Sequence, residues 1–116
     1  MHVVRKREDV AIVTVDAALS QGDKEELDAL KQLCTDLQND GYVHIVLDMS
    51  GVEYAPSLVL GSIIVLQKRI KTREGELAIL HPTGRLERIL EITRMNKIIR
   101  VYDSEEEAVR ALVGSS

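Results

Sequence analysis

A chain of 116 residues with a formal net charge of −4 suits one compact domain over residues 1–116 and lacks the basic excess that nucleic-acid phosphates demand. Its 45% hydrophobic and 29% charged residues suit a packed core under a solvated surface, and three Tyr with no Phe or Trp leave no stacking platform for single strands. One cysteine, Cys34, makes neither an internal disulfide nor a zinc cluster. The charged start Met1–Glu8 is unlike a signal peptide, and the longest apolar stretch, Leu58–Leu66, falls far short of the roughly 20 residues of a bilayer span. The expectation is a cytoplasmic protein with no cofactor, no metal, no nucleic-acid partner and no membrane insertion.

Two β-branched runs, Val3–Lys6 and Ala11–Val15, flank the charged link Arg7-Glu8-Asp9 and predict a hairpin. Leu27, Leu30, Leu33, Cys34 and Leu37 recur every three or four residues, so they share one face of a helix. Asp23, with Glu26 three residues on, begins it, and Gly41 ends it. Tyr42–Leu47 is almost continuous in β-formers, as a strand covered on both faces would be. A loop, Met49–Pro56, then leads to a second helix over about Ser57–Arg73, with Leu60, Ile63, Ile64, Leu66 and Ile70 as its buried side and Gly75 as the stop. A short strand, Glu76–Leu80, precedes a helix capped by Thr83 that carries Leu86, Ile89, Leu90 and Ile92. A strand over Ile98–Tyr102 leads to a last helix capped by Ser104, and residues 113–116 are expected to fray. The order β-β-α-β-α-β-α-β-α predicts an α/β fold, a mixed sheet mostly parallel with one antiparallel strand at or near an edge.

Catalytic signatures are weak. His2, His44 and His81 lie far apart, without metal-ligand spacing, and there is no phosphate loop of the Gly-Lys-Ser/Thr type. His44 falls within the buried strand and has a structural look; Cys34 falls among leucines. Gly84-Arg85 at a helix start could hold an anion, although a plain cap explains it as well. No residue is assigned a catalytic role. Ser57 stands out because it lies where the loop after the central strand enters the second helix, the end of a parallel sheet where function collects. Phosphorylation there would add about −1.5 to −2 charges at a helix start that tolerates anions. The alternative is that Ser57 only caps the helix.

The segment from Ile45-Val46-Leu47-Asp48-Met49-Ser50-Gly51-Val52 through Glu53-Tyr54-Ala55-Pro56-Ser57-Leu58-Val59-Leu60-Gly61 resembles the signature of STAS domains. A second stretch, Glu91–Ile98 followed by Val101–Ala108, is similar to the end of bacterial stand-alone anti-sigma-factor antagonists. The resemblance implies a non-enzymatic partner-switching module. Such a protein binds an anti-sigma factor, often a serine kinase with an ATPase fold, and frees the sigma factor. It maps the phospho-acceptor onto Ser57 and the partner-binding surface onto Ala55, Pro56, Ser57, Leu58, Val59, Leu60 and Ser62. Two positions depart from the family pattern: Pro56 replaces the Asp before the serine, and Val59 replaces a glycine. The usual Gly-x-Leu after the second strand is Ala17-Ala18-Leu19. The rival reading is a constitutive STAS scaffold, in a stressosome-like complex or as a cytosolic subunit of a lipid transporter. A monomer or weak dimer is expected.

Overall fold

The structure is a computed structural model that describes residues 1–113. Five strands, β1 (Val3–Arg7), β2 (Val10–Thr14), β3 (His44–Asp48), β4 (Leu77–Leu80) and β5 (Arg100–Tyr102), form one sheet in the order β1-β2-β3-β4-β5. The β1–β2 pair is antiparallel, in register from Val3↔Thr14 to Arg7↔Val10, and the other three pairs are parallel. The antiparallel strand is therefore the edge strand β1. Four helices follow the expected order: α1 (Lys24–Asn39), α2 (Ser57–Thr72), α3 (Gly84–Ile92) and α4 (Glu105–Leu112). The order and the mixed sheet agree with the sequence reading.

Strand alternation divides the core in two. Ala11, Val13, Ile45, Leu47, Leu77 and Ile79 face α1, α2 and α3 in the larger cluster. Val10, Ile12, Val46, Ala78 and Leu80 face the other way, under Ala108, Val109 and Leu112 of α4. Strand β3 is buried at every position, as its unbroken run of β-formers requires.

The helix ends follow local chemistry. Asp23 accepts from the Glu26 N–H at 3.1 Å. The reciprocal half of that box is not made, because the Glu26 carboxylate faces His2 instead, 3.2 Å from Nε2. Gly41, at φ 97°, ends α1 with the Tyr42 N–H on Leu37 O and its own N–H on Gln38 O, a Schellman motif. The end of α2 has the same form, with Glu74 rather than a glycine in the left-handed region, at φ 63°. Gly75 is needed one residue later for space, because a Cβ there would lie 1.8 Å from Val43 O.

Several expectations are corrected. Two short 3₁₀ segments, Ala17–Gln21 and Met95–Lys97, were not foreseen. The first is nucleated by Asp16, whose side chain accepts the Ala18 N–H at 2.8 Å. The inward face of α2 is Val59, Ser62, Ile63, Leu66, Gln67 and Ile70, whereas Leu60 and Ile64 are half-buried. From Leu58 to Leu66 the helix is apolar except for Gly61 and Ser62, so that stretch offers little amphipathic contrast to orient it, and packing chose the face. Ile92, expected in the core, is 74% exposed, because α3 ends at that residue and the chain turns away through Arg94 in the left-handed region. Val113, placed in the expected tail, instead caps α4 through its N–H on Val109 O and packs on the α4 core. Residues 114–116 of that tail lie outside the described residues.

Candidate functional site at the start of helix α2

The loop between β3 and α2 is held from several sides. Asp48 Oδ1 accepts the Ser50 N–H at 3.1 Å, and the Val52 N–H closes a turn on Met49 O at 2.9 Å. Met49, Val52 and Ala55 are buried in the larger core, which pins the loop at three points. The Glu53 N–H reaches Ser20 Oγ at 3.1 Å, and the Thr83 hydroxyl donates to Val52 O at 3.4 Å. A rigid loop therefore delivers the start of α2, the arrangement a recognition surface needs.

At that start, Pro56 is the N-cap, with φ −61° and ψ 159°, and Ser57 is the first helical residue. Proline has no side-chain acceptor, so α2 has no side-chain cap, whereas Asp23, Thr83 and Ser104 each accept a backbone N–H at the other helix starts. The reading of Ser57 as a simple cap is thus corrected: the capping position is one residue earlier. Ser57 is exposed, and its hydroxyl has no hydrogen-bond partner among the described residues.

The sequence-derived surface divides by helical periodicity. Leu58 is 56% exposed beside Ser57, and Pro56 and Leu60 are half-buried. Ala55 and Val59 point into the core, and Ser62 is almost fully covered, at 3%, 0% and 7% exposure, so little of these three side chains reaches the surface. Val59 therefore adds no bulk toward a partner; its branched side chain fills the larger core. Tyr54 has no role in the sequence reading, and Arg85 enters it only as an anion candidate beside Gly84. Tyr54 is 45% exposed and carries the Arg85 guanidinium over its ring, 5.7 Å from the centroid. The pair joins the loop to the first turn of α3, a contact that sequence separation hides. Arg85 beside Gly84 is thus engaged on an aromatic face, and Thr83 caps α3 through the Leu86 N–H at 3.2 Å.

The remaining reactive side chains are used structurally. His2, whose side chain is only 4% exposed, accepts the Asp16 N–H on Nδ1 at 3.0 Å and donates from Nε2 to Glu26 O at 2.9 Å. His44 is fully buried and accepts the Glu76 N–H on Nδ1 at 3.1 Å, which fixes the entry to β4. Cys34 is buried beneath α1, and that burial pushes its thiol up to about 12, far from a nucleophile's range. A cleft beside α3 is lined by Glu87, Glu91 and Asp103 with Asn96, a set hostile to phosphates. Among the described residues no three His, Cys, Asp or Glu side chains group to hold a metal ion, and no helix is long and apolar enough to cross a membrane.

Comparison with known proteins agrees with this geometry. Residues 2–108 match the model of the STAS domain. A Thermotoga neapolitana homologue of TM1081 is 37% identical over 76 residues, which is 66% of this chain and 67% of that protein. The anti-sigma F factor antagonist of Paenibacillus polymyxa is 32% identical over 69 residues, 60% of this chain and 59% of that protein, so this chain spans about two thirds or less of the relatives' length. The crystal structure of TM1081 from Thermotoga maritima superposes with a TM-score of 0.80 at 28% identity, covering 97% of this chain and 95% of that one. With the signature segment forming the pinned loop and the start of α2, and the family model covering nearly every strand and helix, the chain belongs to the STAS domain family.

Proposed function

We propose that this protein is an anti-sigma-factor antagonist, a non-catalytic cytoplasmic regulator that docks an anti-sigma factor on the start of α2 and is switched by phosphorylation of Ser57. The observation that carries the proposal is an exposed serine, without an internal hydrogen bond, on the first turn of a helix that lacks a side-chain cap. Tyr54, Leu58, Pro56 and Leu60 surround it with apolar surface, while Ala55, Val59 and Ser62 support that surface from beneath. The naming of the Paenibacillus polymyxa relative supports the partner class. A dianionic phosphate on Ser57 finds uncapped N–H groups on its own helix, so the fold tolerates it, while a partner packed against Leu58 and Tyr54 meets a desolvated charge. The kinase-type, ATPase-fold partner is the class whose chemistry both docks on and modifies such a serine.

The test is titration of the anti-sigma factor from the same genome with wild type, Ser57→Ala and Ser57→Asp. Ser57→Ala is expected to bind like wild type and to accept no phosphate from ATP. Ser57→Asp is expected to bind about tenfold or more weakly, roughly 1.4 kcal/mol. Equal affinity of Ser57→Asp and wild type would remove the switch. A second reading, a constitutive scaffold, draws on Pro56 in place of the carboxylate that precedes the family's serine; it predicts a stable assembly indifferent to ATP.

A further inference from the structure

Helix α2 carries a glycine that the fold itself does not use. Gly61 lies inside α2, about one turn past its start, where glycine is a poor helix former relative to alanine. A Cβ built there meets nothing within 4 Å, and the residue is exposed with an ordinary helical backbone. Neither internal packing nor a left-handed conformation calls for glycine. Its place on the surface supplies a reason. Leu58, Gly61, Val65 and Lys68 follow one another at spacings of three, four and three, so they form one outward stripe. Leu58 and Val65 are 56% and 54% exposed. Ser57, Leu58, Gly61, Ser62 and Val65 line one wall of a groove whose other wall is Lys31 of α1. Two apolar shoulders thus flank a notch in which another backbone can approach α2 closely.

We infer that this groove receives an amphipathic helix of the protein partner, seated across Gly61 and carrying acidic residues along its margins. The inference rests on the reading that a protein docks beside Ser57, since the groove continues that surface along α2. Charge selects the occupant. Neither Lys31 nor Lys68 has an ion-pair partner among the described residues, although the chain carries a net charge of −4. A second copy of this chain docking about a two-fold axis would set this lysine-bearing face against itself, which disfavours self-association. An acidic-flanked helix instead pairs both lysines while its apolar face covers Leu58 and Val65.

The probe is a displayed library of amphipathic helical peptides selected on the full chain, followed by titration of the winners against isotope-labelled protein by NMR. Selected peptides are expected to show apolar residues at i, i+3 or i+4 and i+7 with Asp or Glu flanks, and to shift the amides of Leu58, Gly61 and Val65. Gly61→Ala is expected to raise the Tm, because alanine is the better helix former, yet to weaken peptide binding about tenfold. The Lys31→Glu, Lys68→Glu double variant weakens it as well. Peptides that bind Gly61→Ala as tightly as wild type, or that carry basic flanks, overturn the inference, as does a dimer in light scattering that Gly61→Ala dissolves. The anti-sigma-factor titration separates the two proposals. Weakened binding to Ser57→Asp with unchanged binding to Gly61→Ala leaves the docking site at the helix start and removes the groove. No binding of any anti-sigma factor by wild type, with peptides still seated at Gly61, removes the antagonist reading and keeps the groove.

Discussion

At Gly75 two backbones meet at a distance that no side chain allows. The residue closes the Schellman turn after α2 and crosses Val43 so closely that an added methyl would lie 1.8 Å from the Val43 carbonyl oxygen and 3.0 Å from Ile70 Cγ2. The obstacle is mostly backbone, which cannot rotate aside, so Gly75→Ala is expected to destabilise the protein by about 3 kcal/mol in denaturant unfolding. Glu74→Gly, one residue earlier, relieves a left-handed Cβ and is expected to stabilise by about 1 kcal/mol. The sequence shows Gly75 as a helix stop, and that much is correct. That the left-handed position belongs to Glu74, and that Gly75 serves a close crossing, depends on Val43, just before β3 and more than thirty residues earlier. Ser57 has the same lesson. Its position in the signature marks it as a candidate, but whether a serine caps a helix or stands free on the first turn depends on a one-residue difference that local pattern does not resolve.

Helix α2 is the element on which both proposals converge, and its start is its weak point. Three of the four helix starts carry a side-chain acceptor, and α2 carries Pro56. Comparing Pro56→Asp with Pro56→Ala isolates the cap, since both lose the ring. The Asp variant is expected to be more stable by about 1 kcal/mol in thermal or urea unfolding. Equal stability of the two variants would show that the first-turn N–H groups are already satisfied. The existence, order and approximate bounds of α1 to α4 were legible in leucine spacing, in Asp23, Thr83 and Ser104, and in Gly41. The rotation of α2 about its axis was not. Leu60, Ile64 and Val65 have the composition of a core, yet Ser62 and Gln67 took inward positions, Gln67 because its Nε2 donates to Ile98 O at 2.7 Å. That bond, made to the turn before β5, satisfies an amide that burial would otherwise leave unpaired, and its partner lies more than thirty residues away in the sequence.

Across the whole molecule, the sheet has three helices on one face and only α4, with eight residues, on the other. An ion-pair cluster ties that helix to the edge strand. Arg5 pairs with Glu105, and Arg7 reaches Glu105 at 3.1 Å and Glu106 at 2.7 Å. The Arg7 guanidinium holds the Glu106 carboxyl below its ordinary value of 4.5, so the pair's contribution is present above that pH and is lost as acid protonates the native carboxylate. These side chains are largely in solvent, so the effect is modest and screened. The melting temperature is expected to fall slightly more steeply below pH 4.5 in wild type than in an Arg7→Met variant, with the difference vanishing at about 1 M salt. A difference that survives high salt would point to packing of the arginine stem instead.

The sequence by itself determined the succession of the five strands and four α-helices, the two-sided burial of β3, the edge hairpin and the location of the signature serine, because periodicity, caps and turns act over a few residues. Only the tertiary structure decided which face of α2 meets solvent, that Tyr54 takes Arg85 onto its ring, that Ala55, Val59 and Ser62 are almost wholly covered, and that Gly61 stands open beside Lys31. Each of those outcomes is set by groups far apart in the chain, and their proximity exists only once the sheet has paired and the helices have packed.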